Sequence, residues 1–316
     1  MSITDSPPSA IHPQGPAAEH IADLWWVLLA VGGIIFVLVM VLLAVALLRR
    51  TSSADAPAAA LDNPGGGRMI LLGGVVMPVL VLTGVLALTV NTLLALADPP
   101  QSDENVIEVI GHQFWWEVRS PGHEVITANE LHIPAGIPVR VRLAAQDVIH
   151  SFWVPELHGK LDMIPNQTNS FWLQADDPGV YKGVCAEFCG VQHAKMTFLV
   201  VAQPPDEYEA WLAQQRTPAA LPNDPLAQRG LEVFLAAGCA HCHAVRGTDA
   251  TGNLGPDLTH LAARRTLAAG VLPNEQTTLA NWIVNPQHSK PGNLMPPTPL
   301  TDEDLQALLA YLETLQ

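Results

Sequence analysis

Two long apolar segments constrain this chain more than any other feature. Residues 24–48 and residues 69–97 contain no Asp, Glu, Lys or Arg. Each segment is long enough, at about 1.5 Å of helix per residue, to cross roughly 30 Å of hydrocarbon. We therefore predict a hairpin of two transmembrane helices, with a large C-terminal part outside the bilayer.

Basic residues predict the orientation of this hairpin. The loop between the two segments contains Arg49, Arg50 and Arg68, and short loops rich in arginine stay in the cytoplasm. Residues 1–23 contain neither Lys nor Arg, so the first segment lacks the basic start of a cleaved signal and is expected to remain as an anchor. Both termini, including the external segment 1–23, are then expected on the periplasmic side of a bacterial plasma membrane.

Charge and cysteine content exclude other classes of protein. The 316 residues include 30 acidic and 15 basic ones, and this excess of negative charge disfavours nucleic acid as a partner. The four cysteines form two close pairs, Cys185 with Cys189 and Cys239 with Cys242. Four cysteines are too few for a disulfide scaffold, whereas close pairs are typical of metal or redox sites.

The chain beyond the membrane divides into two predicted domains. Short apolar runs, such as those at residues 125–133, predict β-strands, so residues 98–203 are expected to form a β-sandwich or barrel. Residues 204–223 are predicted to be a flexible linker, with a short helix at 206–216 and then Pro and Ala. Residues 224–316 are expected to be helical, with Thr301 capping the last helix.

Residues 239–243 read Cys-Ala-His-Cys-His, the CxxCH pattern of a c-type haem attachment site. Cys239 and Cys242 would add to the two haem vinyl groups, and His243 would bind the iron from one face. The alternative, a CxxC redox pair, needs a thioredoxin-like βαβ setting that these helical surroundings do not offer.

An electron carrier with six-coordinate iron needs a second axial ligand. Met295 is the only methionine after the haem motif, and it lies in a stiff segment before two prolines. His260 and His288 are weaker candidates. Gly255 and Pro256 follow the motif, and the Pro256 carbonyl is expected to accept a hydrogen bond from the haem-motif histidine, which would fix its tautomer.

A second cluster lies at residues 185–196, where two thiols, an imidazole and a thioether occur close together. This soft ligand set suits copper and, less well, zinc. A disulfide between the two cysteines is the alternative, but it would leave the other two side chains without a role. The members of the cluster are Cys185, Cys189, His193 and Met196.

A family resemblance rests on the cluster at residues 185–196, the two predicted spans and two further motifs. Residues 111–116 read Gly-His-Gln-Phe-Trp-Trp, and residues 150–155 read His-Ser-Phe-Trp-Val-Pro. With these, the chain resembles subunit II of the haem-copper cytochrome c oxidases, in the caa-type form fused to a C-terminal cytochrome c domain. Residues 224–316 resemble a class I cytochrome c.

The resemblance implies a multidomain membrane protein with a two-helix transmembrane hairpin, a cupredoxin-like β-barrel and an all-α class I cytochrome c domain. It also implies a dinuclear copper centre bridged by both thiolates. The Glu187 side chain would reach a Mg or Mn ion at the contact with subunit I. The implied copper ligands are His150, Cys185, the backbone carbonyl of Glu187, Cys189, His193 and Met196.

The implied function is electron transfer within a terminal oxidase. Electrons would pass from cytochrome c or a quinol-oxidising complex to the haem, then to copper, then into subunit I. There dioxygen would be reduced with proton pumping, and subunit III would complete the complex. A dicopper subunit of a nitric oxide reductase is a second hypothesis, and a membrane-anchored copper chaperone is a third.

Two positions depart from the family pattern. Many members have a tryptophan after Gly-His-Gln, where electrons from soluble cytochrome c arrive, but this chain has Phe114. No glutamate lies in residues 49–97, although many members carry one there for a proton channel. A tethered haem would reduce the need for the first feature, and the proton route is expected to start elsewhere.

Overall fold

The computed structural model describes residues 8–49, 64–97 and 106–316. Residues 1–7, Arg50 and the predicted start of the barrel at 98–105 lie outside these ranges. The helices before the barrel are α1 (Pro16–Leu48), α2 (Pro64–Leu71) and α3 (Met77–Ala97), with a π-helical turn at Leu72–Val76.

Helix α1 and the continuous helical stretch from α2 to α3 include the two predicted membrane spans. The helical segments Pro16–Leu48 and Gly65–Ala97 are 33 residues each, with mean hydropathies of 3.1 and 2.5 in their most apolar windows. The most apolar stretch of each helix is not buried by the rest of the structure, whereas the core helix of a soluble protein would be. The π-helical turn coincides with Gly73 and Gly74, which lack the side chains that stiffen a helix.

Within residues 106–203, ten strands form two five-stranded sheets with orders β3-β2-β1-β5-β8 and β4-β10-β9-β6-β7. Strand β1 pairs in parallel with β5, and β4 with β10; the remaining pairs are antiparallel. The strands are β1 (Val106–His112), β2 (Trp115–Ser120), β3 (Val125–Ala128), β4 (Glu130–Pro134), β5 (Val139–Ala145), β6 (His150–Trp153), β7 (Leu161–Met163), β8 (Asn169–Leu173), β9 (Gly179–Cys185) and β10 (Thr197–Gln203).

Alternating apolar residues give this cupredoxin-like domain its core. In β1, every second side chain is buried, as expected for a strand with one face on the core. Trp116 and Phe152 are fully enclosed, and Phe198 lies against both rings. The predicted run 125–133 is two strands, because Asn129 has a positive φ of 63° and ends β3 before β4 begins.

The segment before the first span lies against the barrel. The backbone N–H of Gln14 donates to the carbonyl of Glu156 at 2.7 Å, and Asp176 donates to the carbonyl of Gln14 at 3.0 Å. Ala17 and Ala18 are buried at the start of α1. These contacts show that residues 14–18 pack on the barrel.

Helix α4 (Pro205–Arg216) follows the barrel and confirms the short helix predicted at residues 206–216, and it holds this part of the predicted linker against the barrel. Its buried side chains Tyr208 and Leu212 form a small core with Val125. Trp211 stacks on His132, with ring centroids 4.0 Å apart. These three α4 residues recur at helical spacing, so the sequence contained the apolar face that holds the helix on the barrel.

The C-terminal domain is built around the packing of its first and last helices, where Phe234 of the first contacts Tyr311 of the last. Thr301 caps the last helix as predicted, since its hydroxyl accepts from the Asp304 N–H at 3.1 Å. Asp224 caps the first helix in the same way. The elements are α5 (Pro225–Ala236), β11 (Thr266–Leu267), β12 (Leu272–Pro273), α6 (Gln276–Val284), α7 (Pro286–Ser289) and α8 (Asp302–Glu313).

Candidate metal centre and haem pocket

The ligands predicted for copper meet at one end of the barrel. His150 comes from the start of β6, Cys185 ends β9, and the other donors lie in the loop before β10. Cys185 Sγ lies 3.8 Å from Cys189 Sγ and 4.0 Å from His150 Nδ1. Cys189 Sγ lies 3.8 Å from His193 Nδ1 and 3.7 Å from Met196 Sδ. Each sulfur therefore has its own imidazole neighbour.

Both sulfurs are free and buried, so the disulfide alternative is wrong for this structure. The hydrogen bond from Cys189, together with one from His150, lowers the pKa of Cys185 despite its burial. Thiolates are the form that binds metal. The Cys185 sulfur also lies 3.2 Å from the Glu187 carbonyl oxygen, so that oxygen lies beside the sulfur pair. This donor set fits copper.

Asp147 holds His150 in position and is a residue that the sequence analysis missed. Its Oδ1 lies 2.8 Å from His150 Nε2, which leaves Nδ1 facing the sulfurs. Burial alone would raise the pKa of Asp147, but hydrogen bonds from His150, Val148 and Gln113 outweigh it and lower the pKa. Such carboxylates orient metal-binding imidazoles. The Asp-x-x-His spacing was the available signal.

Gly111 leaves room for the same imidazole. A Cβ at this position would lie 2.8 Å from His150 Cδ2, closer than atoms in contact allow. Gly111 pairs with Trp116 across strands β1 and β2, so the Gly-His-Gln motif forms a wall of the copper site. A side chain here would displace the histidine ring.

The haem motif lies at the end of α5, where Cys239–His241 form a 3-10 turn. Cys239, Cys242, His243 and Met295 all line one cavity of about 370 Å³. Apolar side chains from α6 and α8 complete its inner wall, including Ile283 and Leu308. The structure therefore brings together all four residues that the sequence predicted for haem.

The histidine of this motif is oriented as predicted. His243 Nδ1 lies 2.7 Å from the Pro256 carbonyl oxygen, which confirms the expected hydrogen bond and leaves Nε2 available for iron. Burial lowers the pKa of His243, although the hydrogen bond opposes that effect, and the neutral imidazole is the form that binds metal. A Cβ at Gly255 would lie 2.6 Å from the ring, so glycine permits this close approach.

The loop of Met295 is held by side-chain amides. Gln287 Nε2 donates to the carbonyls of Asn293 at 2.9 Å and Met295 at 3.1 Å. His260 is occupied elsewhere, since its two ring nitrogens lie at 2.6 and 3.1 Å from backbone carbonyl oxygens. Neither His260 nor His288 lines the cavity, which leaves the methionine as the better candidate.

Arg264 is a second residue that sequence reasoning missed. It lines the haem cavity, and its Nε is buried with no hydrogen-bond partner within the described ranges. A terminal nitrogen of the same guanidinium donates to the Asp257 carbonyl. A buried, unpaired donor is costly, and a haem carboxylate would satisfy it. No sequence motif identifies this arginine, because only the folded chain brings it to the haem cavity.

One wall of the haem cavity comes from the barrel domain. Phe114 and Trp115, which follow Gln113 in the Gly-His-Gln motif, line the cavity together with the haem-motif residues. Gln113 also lines it, and its Nε2 donates to the Cys189 carbonyl at 2.6 Å. A single side chain therefore connects the haem cavity with the copper loop.

The Glu187 side chain is 47% exposed on the copper loop. Its carboxylate lies 3.7 Å from Lys160 Nζ, and Lys160 also pairs with Asp162 at 2.9 Å. The described residues form no further group of His, Cys and acidic ligands at this carboxylate.

Comparisons with known proteins agree with this architecture. Residues 119–203 match the family "Cytochrome C oxidase subunit II, periplasmic domain", and residues 227–316 match "Cytochrome c". The cytochrome c oxidase subunit 2 of Alkalihalophilus pseudofirmus is 43% identical over 241 residues, covering 75% of this chain and 70% of the relative. That of Bacillus sp. strain PS3 is 36% identical over 260 residues, covering 76% and 72%.

A solved structure of the periplasmic domain of cytochrome oxidase subunit II from Bradyrhizobium japonicum is 27% identical, with a TM-score of 0.36. It covers 37% of this chain and 96% of that domain.

Two apolar helices, a copper-type ligand set on a β-barrel and a haem-motif domain define a membrane-anchored electron-transfer protein. Two relatives above 30% identity are each covered over more than two thirds of their length. The chain belongs to the cytochrome c oxidase subunit II family, in the form fused to a C-terminal cytochrome c domain. The periplasmic family model that it matches agrees with soluble domains on the outer side of a membrane.

Proposed function

We propose that this chain carries electrons from a covalently bound c-type haem to a dinuclear copper centre and on to subunit I of a terminal cytochrome c oxidase. The observation that carries the proposal is the connection through Gln113, which lines the haem cavity and hydrogen-bonds to the Cys189 carbonyl. Bound haem and copper supply one-electron redox chemistry, and subunit I reduces dioxygen with proton pumping.

The copper ligands are proposed to divide between two metal ions. Cys185 and Cys189 would hold both ions, and each sulfur has a different imidazole beside it. His150 and Met196 would complete the site of one ion, and His193 with the Glu187 carbonyl that of the other. Because His150, the two cysteines and Met196 are buried on a rigid barrel, these donors need to move little when the charge of the centre changes.

The haem ligands are proposed to act in the same chain. Cys239 and Cys242 would hold the haem through thioether bonds, and His243 and Met295 would bind its iron. The Pro256 carbonyl keeps the imidazole in the required tautomer. Arg264 offers its unpaired Nε to a haem carboxylate.

The partners proposed for this chain are those of its family. Subunit I is the partner of this family, and we propose that Glu187 contributes to a Mg or Mn site at that contact. Subunit III is proposed as a further member of the complex, and a cytochrome c or quinol-oxidising complex as the donor. Since residues 14–18 lie against the barrel, both ends of the hairpin are proposed to face the periplasm of a bacterial inner membrane.

Metal and haem content of the purified full chain test this proposal. After expression with haem maturation and copper supply, we expect two copper ions and one covalently bound haem per chain. The matched variant Met163→Leu, which changes a buried methionine outside both ligand sets, is expected to give the same content. One copper ion per chain, or haem lost on denaturation, would contradict it.

A further inference from the structure

The haem domain contacts the barrel through a set of specific polar groups, although a tether alone could keep the two domains close. Thr197 of the barrel donates from its N–H and its hydroxyl to the Ala269 carbonyl, at 3.1 and 2.8 Å. Lys195 Nζ donates to the Ser289 carbonyl at 2.6 Å. Gln192 donates to the Pro291 carbonyl. The contact therefore involves the copper loop itself.

Glu130 is a buried carboxylate of the barrel whose partners belong to the haem domain. It is 3% exposed, and its Oε1 accepts from the N–H groups of Arg265 at 2.7 Å and Thr266 at 3.0 Å. The Thr266 hydroxyl lies 3.5 Å from the same oxygen. The other oxygen lies 3.9 Å from His132 Nε2. Two backbone donors of a single loop thus converge on one carboxylate.

Lys290 is the corresponding group of the haem domain. It is 2% exposed, and its Nζ donates at 3.1 Å to the Phe114 carbonyl of the barrel and at 3.1 Å to the Ala268 carbonyl. Burial lowers the pKa of Lys290 to about 7, so an ammonium here depends on its two acceptors. Phe114 also lines the haem cavity. The lysine therefore holds the backbone of a barrel residue that forms part of the cavity wall.

We propose that Glu130 and Lys290 are positioning residues that hold the haem domain in one fixed orientation on the copper domain. Buried charges with hydrogen bonds in one geometry give little net affinity but strongly disfavour other geometries. Undocking would separate Glu130 and Lys290 from their hydrogen-bond partners. The cost of losing these bonds keeps Phe114 against the haem cavity. This inference rests on the proposed haem and copper centres, but it concerns contacts of the chain itself.

Hydrogen exchange of the Thr197 amide in the full chain tests the fixed orientation. This amide donates across the boundary to Ala269, and its hydrogen-bond partner is neither Glu130 nor Lys290, so its exchange reports docking. In Glu130→Ala and Lys290→Met, we expect exchange at least about tenfold faster than in the wild type, because fewer molecules are docked. Glu130→Gln keeps an acceptor oxygen and is expected to retain protection. Glu232→Ala, on an exposed part of α5, is the control.

The rate of haem-to-copper electron transfer gives a second readout. We expect the wild-type rate to be independent of solvent viscosity, whereas the Glu130→Ala and Lys290→Met rates should fall as viscosity rises. The haem potential and the copper spectrum should stay unchanged. If Glu130→Ala does not accumulate, Lys290→Met tests the same contact.

The two possible failures give different results. Unchanged Thr197 exchange and viscosity-independent rates in both variants, with haem and copper signals intact, would overturn the fixed orientation. Absence of those signals from the wild type would instead contradict the proposed function.

Discussion

The copper centre and the haem pocket are built in different ways. All side chains proposed for copper come from one barrel, and they are positioned by strand ends and a loop within about fifty residues of sequence. The haem pocket has its ligands in one domain and part of its wall, including Phe114 and Trp115, in the other. A rigid barrel can therefore assemble the first site alone, whereas the second is complete only when the domains are docked.

Because of this difference, mutations should be able to change metal binding and electron transfer independently. Changes in the barrel interior should affect copper and leave haem attachment intact. Changes at the boundary between Glu130 and Thr266 should leave both groups bound while altering the transfer between them.

Removal of a bridging sulfur should have the largest effect. Cys185→Ser is expected to abolish the dinuclear copper signal, because one thiolate cannot bridge two ions in the same way. Covalent haem should remain at one per chain. The reciprocal change Cys239→Ala should remove a thioether bond and leave the copper spectrum unchanged. Copper content and haem staining after denaturation measure both results, and joint loss of the two groups would argue against independent sites.

Loss of the carboxylate behind His150 should have a smaller effect. Asp147→Asn removes the charge that orients the imidazole, and such changes typically lower metal affinity by about 10–100-fold. Competition with a copper chelator measures the affinity. Asp176→Asn, an exposed position in the same domain, is the control. Equal affinities for the two variants would show that Asp147 has no role at the metal.

Arg264 tests the haem pocket in the same manner. Arg264→Leu should lower the free energy of unfolding of the haem-loaded chain by about 1.5–3 kcal/mol, the contribution of a hydrogen bond to a charged group. The haem-free chain should lose less stability, because its Arg264 Nε has no partner in the folded ranges described. Urea unfolding of both forms measures the difference. Equal losses in the two forms would contradict a contact with haem.

The smallest expected effect is a pH dependence confined to the barrel. Burial lowers the pKa of His158, so the folded domain keeps this ring neutral while the unfolded chain takes up a proton below about pH 6.5. Stability is then lost as the pH falls below that value, by at most about 1.4 kcal/mol per pH unit. His158→Phe should remove this part of the loss, because the ring packs on Phe171 and Trp172.

Urea unfolding of the barrel in the copper-loaded full chain at pH 7.5 and 5.5, conditions chosen about one unit on either side of the His reference pKa, measures that difference. His288→Phe, at an exposed position of the haem domain, should behave as the wild type. An identical pH dependence in the wild type and His158→Phe would exclude the buried ring as its source.

Sequence motifs predicted the ligands well because metal sites require particular donors at short spacings. Cys189 and His193 lie in the loop that directly follows Cys185, the last residue of β9, so their approach needed no knowledge of the fold. Asp147 and Arg264 were missed because a carboxylate near a histidine, or an arginine in a helical domain, is common without such a role. Their partners became visible only in the folded chain.

The contact surface between the barrel and the haem domain could not be predicted from local sequence patterns. Glu130 and Thr266 are 136 positions apart, and neither has a neighbour in sequence that marks a contact. The sequence predicted the helix at 206–216 but not its packing, since Tyr208 and Leu212 of α4 are buried against Val125 of the barrel.

Rapid reduction of the haem in the fully loaded chain tests the central claim most directly. An electron delivered to the haem by a light-activated donor should appear at the copper centre of the same chain, with a rate independent of protein concentration. A transfer rate that rises in proportion to protein concentration, or a reduced haem beside copper that stays oxidised, would contradict the account.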